Sequence, residues 1–142
     1  MAKKYWIQKR ANCTLQNTFD KILSVIEIDV ERFNQLEKDL RKGREFEFCK
    51  KSNSNALVKE INPETKSSML DIPNIHINLQ SNRIEIREDN LLRFVVKQKW
   101  NTETLDCDLK MENAEIEECS SIYQISQRAI GDYMFLDVDE YR

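Results

Sequence analysis

The sequence predicts an α+β fold: a long N-terminal helix packed on a curved antiparallel β-sheet of about six strands in meander order, with a short C-terminal helix and strand. Three observations predict it. Apolar residues from position 15 to 42 recur at spacings of three and four, the period of a helix face. After Gly43 the spacing changes to two, the period of a strand. Between positions 75 and 111, three hairpin loops set apolar side chains opposite apolar ones and acids opposite bases, an agreement that fixes register. The 142 residues fit one domain spanning 1–142, long enough to bury a core without staples.

The helix is read over 15–42. Its stripe is Leu15, Phe19, Ile22, Leu23, Ile26, Val30, Phe33, Leu36 and Leu40. Thr14 suits the N-cap. Lys38, Arg41 and Lys42 suit the last turn, and Gly43 the position after it. The segment 24–30, SVIEIDV, alternates like a β-branched strand. A strand there followed by a helix from Glu31 is the rival reading, and the unbroken stripe decides for one helix. Phe19, Ile26, Phe33 and Leu40 also stand seven apart, so the helix could pair with a second copy as a coiled coil. Asp29 at a d-like position and a sheet in need of a cover favour packing on the sheet.

Two strands, REFEFCKK at 44–51 and ALVKEIN at 56–62, flank the turn-rich SNSN. A loop over 62–74 holds both prolines, which cannot donate to a ladder. In the next hairpin Ser81 and Asn82 form a two-residue loop. That places Leu79 opposite Ile84, Ile77 opposite Ile86, Asn78 opposite Glu85 and His76 opposite Arg87. A three-residue loop, Glu88 to Asn90 with Asn90 left-handed, sets Ile86 against Leu92, Ile84 against Phe94 and Glu85 against Arg93. A loop over Asn101 to Thr104 sets Trp100 against Leu105, Gln98 against Cys107, Val96 against Leu109 and Phe94 against Met111. On the other face it pairs Lys99 with Asp106 and Lys97 with Asp108. Residues 120–131 read as a short helix with Ser121 and Gln124 as a capping box and Gly131 as its stop. Residues 132–138 read as a last strand, followed by a frayed tail.

Chemistry is sparsely signalled. His76 is the single histidine. The derived register puts it on the polar face, whereas Cys107 lies on the apolar face three strands away, so the two form no dyad. Cys13, Cys49, Cys107 and Cys119 show neither a C-x-x-C nor a zinc spacing and are read as reduced thiols of a cytosolic protein, with disulfides in a secreted, processed form as the alternative. Asp106 and Asp108 share a face but meet lysines, a structural ladder rather than a metal site. Asp137, Asp139 and Glu140 lack the spacing of a calcium loop. With two isolated glycines, neither a dinucleotide nor a P-loop phosphate cradle can be built. No catalytic residue, metal ligand or cofactor is therefore assigned.

The formal charge of −3 gives no global attraction to nucleic acid. The basic, aromatic arm Lys3, Lys4, Tyr5, Trp6, Lys9 and Arg10 could contact phosphates and stack on bases, or serve as an edge strand guarded by lysines. The sequence holds no apolar run of membrane-spanning length and no secretory signal pattern, so a cytoplasmic location without membrane contact is expected. The leading expectation is a non-catalytic protein-interaction module, of inhibitor, immunity or adaptor type, whose partner is another protein. A homodimer through the helix is the alternative partner. The second functional expectation is a binder of small hydrophobic ligands, with Phe33, Phe46, Phe48, Phe94 and Trp100 lining a cavity between helix and sheet. Nucleic-acid binding through the N-terminal arm ranks third.

Overall fold

The computed structural model describes residues 5–113 and 117–135. Its centre is a seven-stranded antiparallel sheet in which every strand pairs with its sequence neighbour: β1 (Glu45–Lys50), β2 (Asn55–Ile61), β3 (Ile75–Leu79), β4 (Ile84–Glu88), β5 (Leu91–Asn101), β6 (Asp106–Glu112) and β7 (Glu117–Cys119). Three-residue β7, paired with β6, is an element that the sequence pattern did not announce. Helix α2 (Leu15–Asn34) crosses one face of the sheet. The fold is the expected α+β meander under a long helix, and no described helix is long and apolar enough to cross a membrane.

Thr14 caps α2 by accepting from the Asn17 N–H at 3.1 Å. Phe19, Ile22, Leu23, Ile26, Val30 and Phe33 are buried against Phe46, Val58, Ile75, Ile77, Ile84, Ile86, Phe94 and Val96, each worth about 1.5–3 kcal/mol relative to exposure. Residues 24–30 are therefore helix, and the stripe is spent on the sheet. The helix stops at Asn34, not at position 42. The Asn34 amide donates to the Phe46 carbonyl at 2.7 Å and accepts from the Phe46 N–H at 3.0 Å, fastening the helix end to edge strand β1. Leu40 is consequently exposed. Gly43 is left-handed at φ +70°, and its N–H donates to Lys38. It closes a turn eight residues beyond the helix cap at Gln35 rather than the helix itself.

The β3–β4 register is the expected one, residue for residue, and Gln80 donates to Arg83 across Ser81 and Asn82. The next two registers differ from expectation. Ile86 faces Phe94, Ile84 faces Val96, Glu85 faces Val95 and Arg87 faces Leu92, leaving Arg93 as a bulge. Asp89, not Asn90, is the left-handed residue, at φ +50°. Its side chain accepts from Asn74 N–H and its N–H donates to Asn74, which shortens the loop. Across β5–β6, Trp100 faces Cys107, Gln98 faces Leu109, Val96 faces Met111, Lys99 faces Asp108 and Lys97 faces Lys110. The expected partners were two residues off. The Asn101 carboxamide oxygen accepts from Glu103 and Thr104 N–H groups, and Leu105 turns left-handed at φ +56°. Local turn chemistry sets this register, and the even shift keeps every β6 side chain on its expected face.

Ser121 and Gln124 form the expected capping box at the start of α3 (Ile122–Ser126). Gly131 does not stop the chain: a π-helical turn (Gln127–Gly131) runs directly into α4 (Asp132–Phe135). The expected strand at 132–138 is thus helical through Phe135, and the remainder lies outside the described residues. Tyr133 and Met134 are buried, so apolar residues read as strand are core contacts of a helix. The bulged Arg93 explains how the wide turn is tolerated. Its guanidinium donates to the Arg128 and Ala129 carbonyls, which lie within the π turn. Ser126 donates to Asp29 at 2.7 Å, tying α3 to α2.

The segment before α2 departs furthest from expectation. Residues Trp6–Ala11 form helix α1, not an edge strand, and Cys13 is joined to Cys107 by a disulfide with Cα atoms 5.6 Å apart. These two cysteines are oxidised rather than reduced. They meet because α1 packs along β6, a contact between segments 94 residues apart that no spacing rule reveals.

Candidate interaction surface

Period-two alternation divides the sheet chemically. The covered face carries the core. The opposite face collects most of the polar strand positions, with Glu85 and Val95 buried among them. On β5 and β6 these are Lys97, Lys99 and Asn101 beside Asp108, Lys110 and Glu112. Here an open cleft of about 620 Å³ is lined by Lys97, Lys99, Asn101, Asp108, Lys110 and Glu112, among others. Lys97 and Lys110 stand directly opposite each other, a like-charge arrangement that disfavours pairing. Lys97 is balanced by Glu112 at 3.3 Å, and Asn101 donates to Asp108 at 2.8 Å.

Towards the sheet centre lies Glu85, buried although it is on the open face. Its oxygens accept from Arg83 at 2.6 Å and Arg87 at 3.1 Å, so two cations flank one carboxylate. The sequence pointed instead to Arg93 as its partner, but the bulge sends Arg93 to the helices. His76 faces Arg87 as expected, and its Nε2 is 3.9 Å from Asp89. Cys49 lies on the same face, two strands from His76: it faces Leu57, which faces His76. Two strand spacings, about 10 Å, separate thiol from imidazole. Burial pushes the Cys49 thiol upward, and the hydrogen bond to and charge of Glu47 add to the rise. That is opposite to the shift that activates a nucleophile.

The candidate aromatic pocket residues are dispersed. Phe33 and Phe46 pack edge to face at 5.2 Å, and both are buried in the core with Phe94. Phe48 lines a cleft of about 170 Å³ with Leu23 and Lys50, whereas Trp100 lies at the far hairpin, beneath Arg10. Of the arm residues, Lys3 and Lys4 lie outside the described residues. Tyr5 and Trp6 are exposed. Lys9 pairs with Asp106 at 3.1 Å, and the Arg10 guanidinium sits 5.9 Å from the Trp100 ring. Two cations offered to phosphates by the sequence are therefore engaged with the protein's own hairpin. Asp137, Asp139 and Glu140 are outside the described residues, among which no group of three or more His, Cys, Asp and Glu could hold a metal ion.

The fold and surface together define an α+β protein with one covered and one charged, open sheet face. No family model matches the chain, and comparison with the curated proteins and the solved structures found no match.

Proposed function

We propose that the protein is a non-catalytic protein-interaction module, of inhibitor, immunity or adaptor type, that binds another protein through the open face of its sheet. One observation carries this reading: the cleft of about 620 Å³ over β5 and β6, where Lys97, Lys99 and Lys110 interleave with Asp108 and Glu112. Strand register holds these charges in a fixed pattern, which favours a partner of complementary pattern and speeds its encounter. The close-packed layer between α2 and the sheet, with Phe19, Ile22, Ile26, Ile77 and Ile86 fully buried, favours a surface site over a ligand held in the interior.

The test compares the wild type with Lys97→Glu/Lys99→Glu in cross-linking, sizing and salt-dependent binding measurements. The expected result is a discrete complex with another protein that the double reversal weakens by about tenfold or more, mainly through slower association. Equal binding by both proteins, or a wild type without any complex across the salt series, overturns the reading. The proposed compartment is the cytoplasm, where the Cys13–Cys107 bond meets a reducing thiol pool.

A further inference from the structure

We propose that Cys13–Cys107 is a thiol–disulfide exchange site for a dithiol reductant, and that its reduction releases the N-terminal arm, residues 5–13, from the β5–β6 hairpin. The proposal is independent of the partner assigned to the open face.

Helix α1 has no buried residue. Six residues of helix cannot hold themselves together in water, so the arm depends on its attachments. Among the described residues three reach the same hairpin, the disulfide to Cys107, the Lys9–Asp106 ion pair and the Arg10–Trp100 contact, and the Asn12 carbonyl accepts from the Asn17 side chain in the first turn of α2. Both partners of the ion pair are about half exposed, which leaves it a weak tether. The cation–π contact, at the outer limit of distance, is weak as well. Only the covalent bond holds firmly. On the far side of Cys13 the chain enters α2 at the Thr14 cap, and α2 is anchored by its own buried stripe. A boundary between a loose and a firm unit therefore falls at Cys13 itself.

The bond is also reachable. Cys13 and Cys107 line an open cleft of about 390 Å³, with Lys9 and Lys21 on its wall. Asp106 lines the same cleft and pairs with Lys9, so Lys21 is the wall cation that attracts an incoming thiolate and stabilises the departing one. The thiolate of the dithiol attacks one sulfur, forming a mixed disulfide and expelling the other cysteine as a thiolate, which takes a proton from water. The second thiol of the reductant, deprotonated, attacks its own sulfur in the mixed disulfide. It leaves as a cyclic or paired disulfide, and the remaining cysteine is likewise protonated. The protein has gained two electrons and two protons, and the reductant has lost them. Cys49 takes no part, because its thiol is held protonated beside Glu47 on the opposite face.

The experiment uses the full chain, oxidised in air and then treated with a small dithiol, alongside a Cys13→Ser/Cys107→Ser variant. Trypsin cleavage after Lys9 and Arg10, hydrogen exchange of residues 6–13 and circular dichroism are read together. Reduction is expected to raise cleavage and exchange in the arm by about tenfold or more while the sheet signal stays intact, and the serine variant should match the reduced protein. Three outcomes overturn the proposal. One is alkylation of Cys13 and Cys107 in the air-oxidised protein before any reductant is added. Another is arm protection unchanged by reduction. The third is loss of the sheet signal together with arm protection, in both the reduced protein and the serine variant, which would make the bond a global staple.

Discussion

Glu60 occupies a core-facing strand position, in phase with Ala56 and Val58, and Arg44 makes that burial tolerable. The guanidinium meets the Glu60 carboxylate at 2.9 Å and also donates to the Tyr133 and Met134 carbonyls, satisfying the end of α4. Both residues are buried. Removing one partner strands the other charge, so Glu60→Leu is expected to cost about 3–5 kcal/mol. Arg44→Met/Glu60→Leu should recover part of that loss, though the two freed carbonyls limit the recovery. Urea unfolding of the single and double variants measures both. The sequence held a signal for this pair, a charge at a core-parity position, but no means of finding its partner. A second residue-scale prediction concerns Cys49. Its raised pKa leaves less thiolate near neutral pH, so alkylation should be slower than for a free thiol and should accelerate only as pH rises through the elevated value. Glu47→Gln removes the charge that adds to the rise while burial, the larger cause, remains, and should modestly speed alkylation at neutral pH, as read by mass spectrometry.

Elements end and bend where one side chain satisfies backbone groups. Asn34 stops α2 by binding both polar groups of Phe46. Asn34→Ala is expected to destabilise the protein by about 1–3 kcal/mol, checked by denaturant unfolding, with the largest rise in hydrogen exchange at β1. Arg93 does the same for the π-helical turn. Arg93→Met should leave the sheet formed while exchange rises across residues 127–131. The legibility of each element follows from how local its determinants are. The Ser81–Asn82 hairpin was readable because a two-residue loop admits one register. The β4–β5 register was not, because a bulge that adds one residue changes the pairing without disturbing the apolar alternation of Phe94 and Val96. The short α4 read as a strand because Tyr133 and Met134 are buried among contacts from α2 and β1 that periodicity over four residues cannot reveal.

At the scale of the whole molecule, the disulfide closes a separation of 94 residues. Chain entropy alone assigns such a loop about 4–5 kcal/mol. If the arm regains freedom on reduction while the rest stays folded, the native state recovers part of that entropy. Equilibrium unfolding of the oxidised and reduced proteins should then differ by less than about 4–5 kcal/mol. The open sheet face makes a separate prediction at this scale. Reversing Lys97 and Lys99 to Glu loses the half-exposed Lys97–Glu112 pair and sets an acid opposite Asp108, while position 97 then meets Lys110, so the unfolding free energy should change by no more than about 1 kcal/mol.

The sequence by itself determined the class of fold, the helix stripe, the meander and the face on which His76 lies. Each depends on spacings of two to four residues and on turn chemistry, which are local and survive in the linear chain. Only the tertiary structure decided that Cys13 meets Cys107, that Arg44 meets Glu60, that Arg93 leaves the sheet for a helix, and that the candidate aromatics separate between core and surface. Those outcomes depend on which distant segments share one neighbourhood after packing. The same alternation that fixes a face leaves a shift of two residues undetermined, so the position of a charge along the open face had to await the fold.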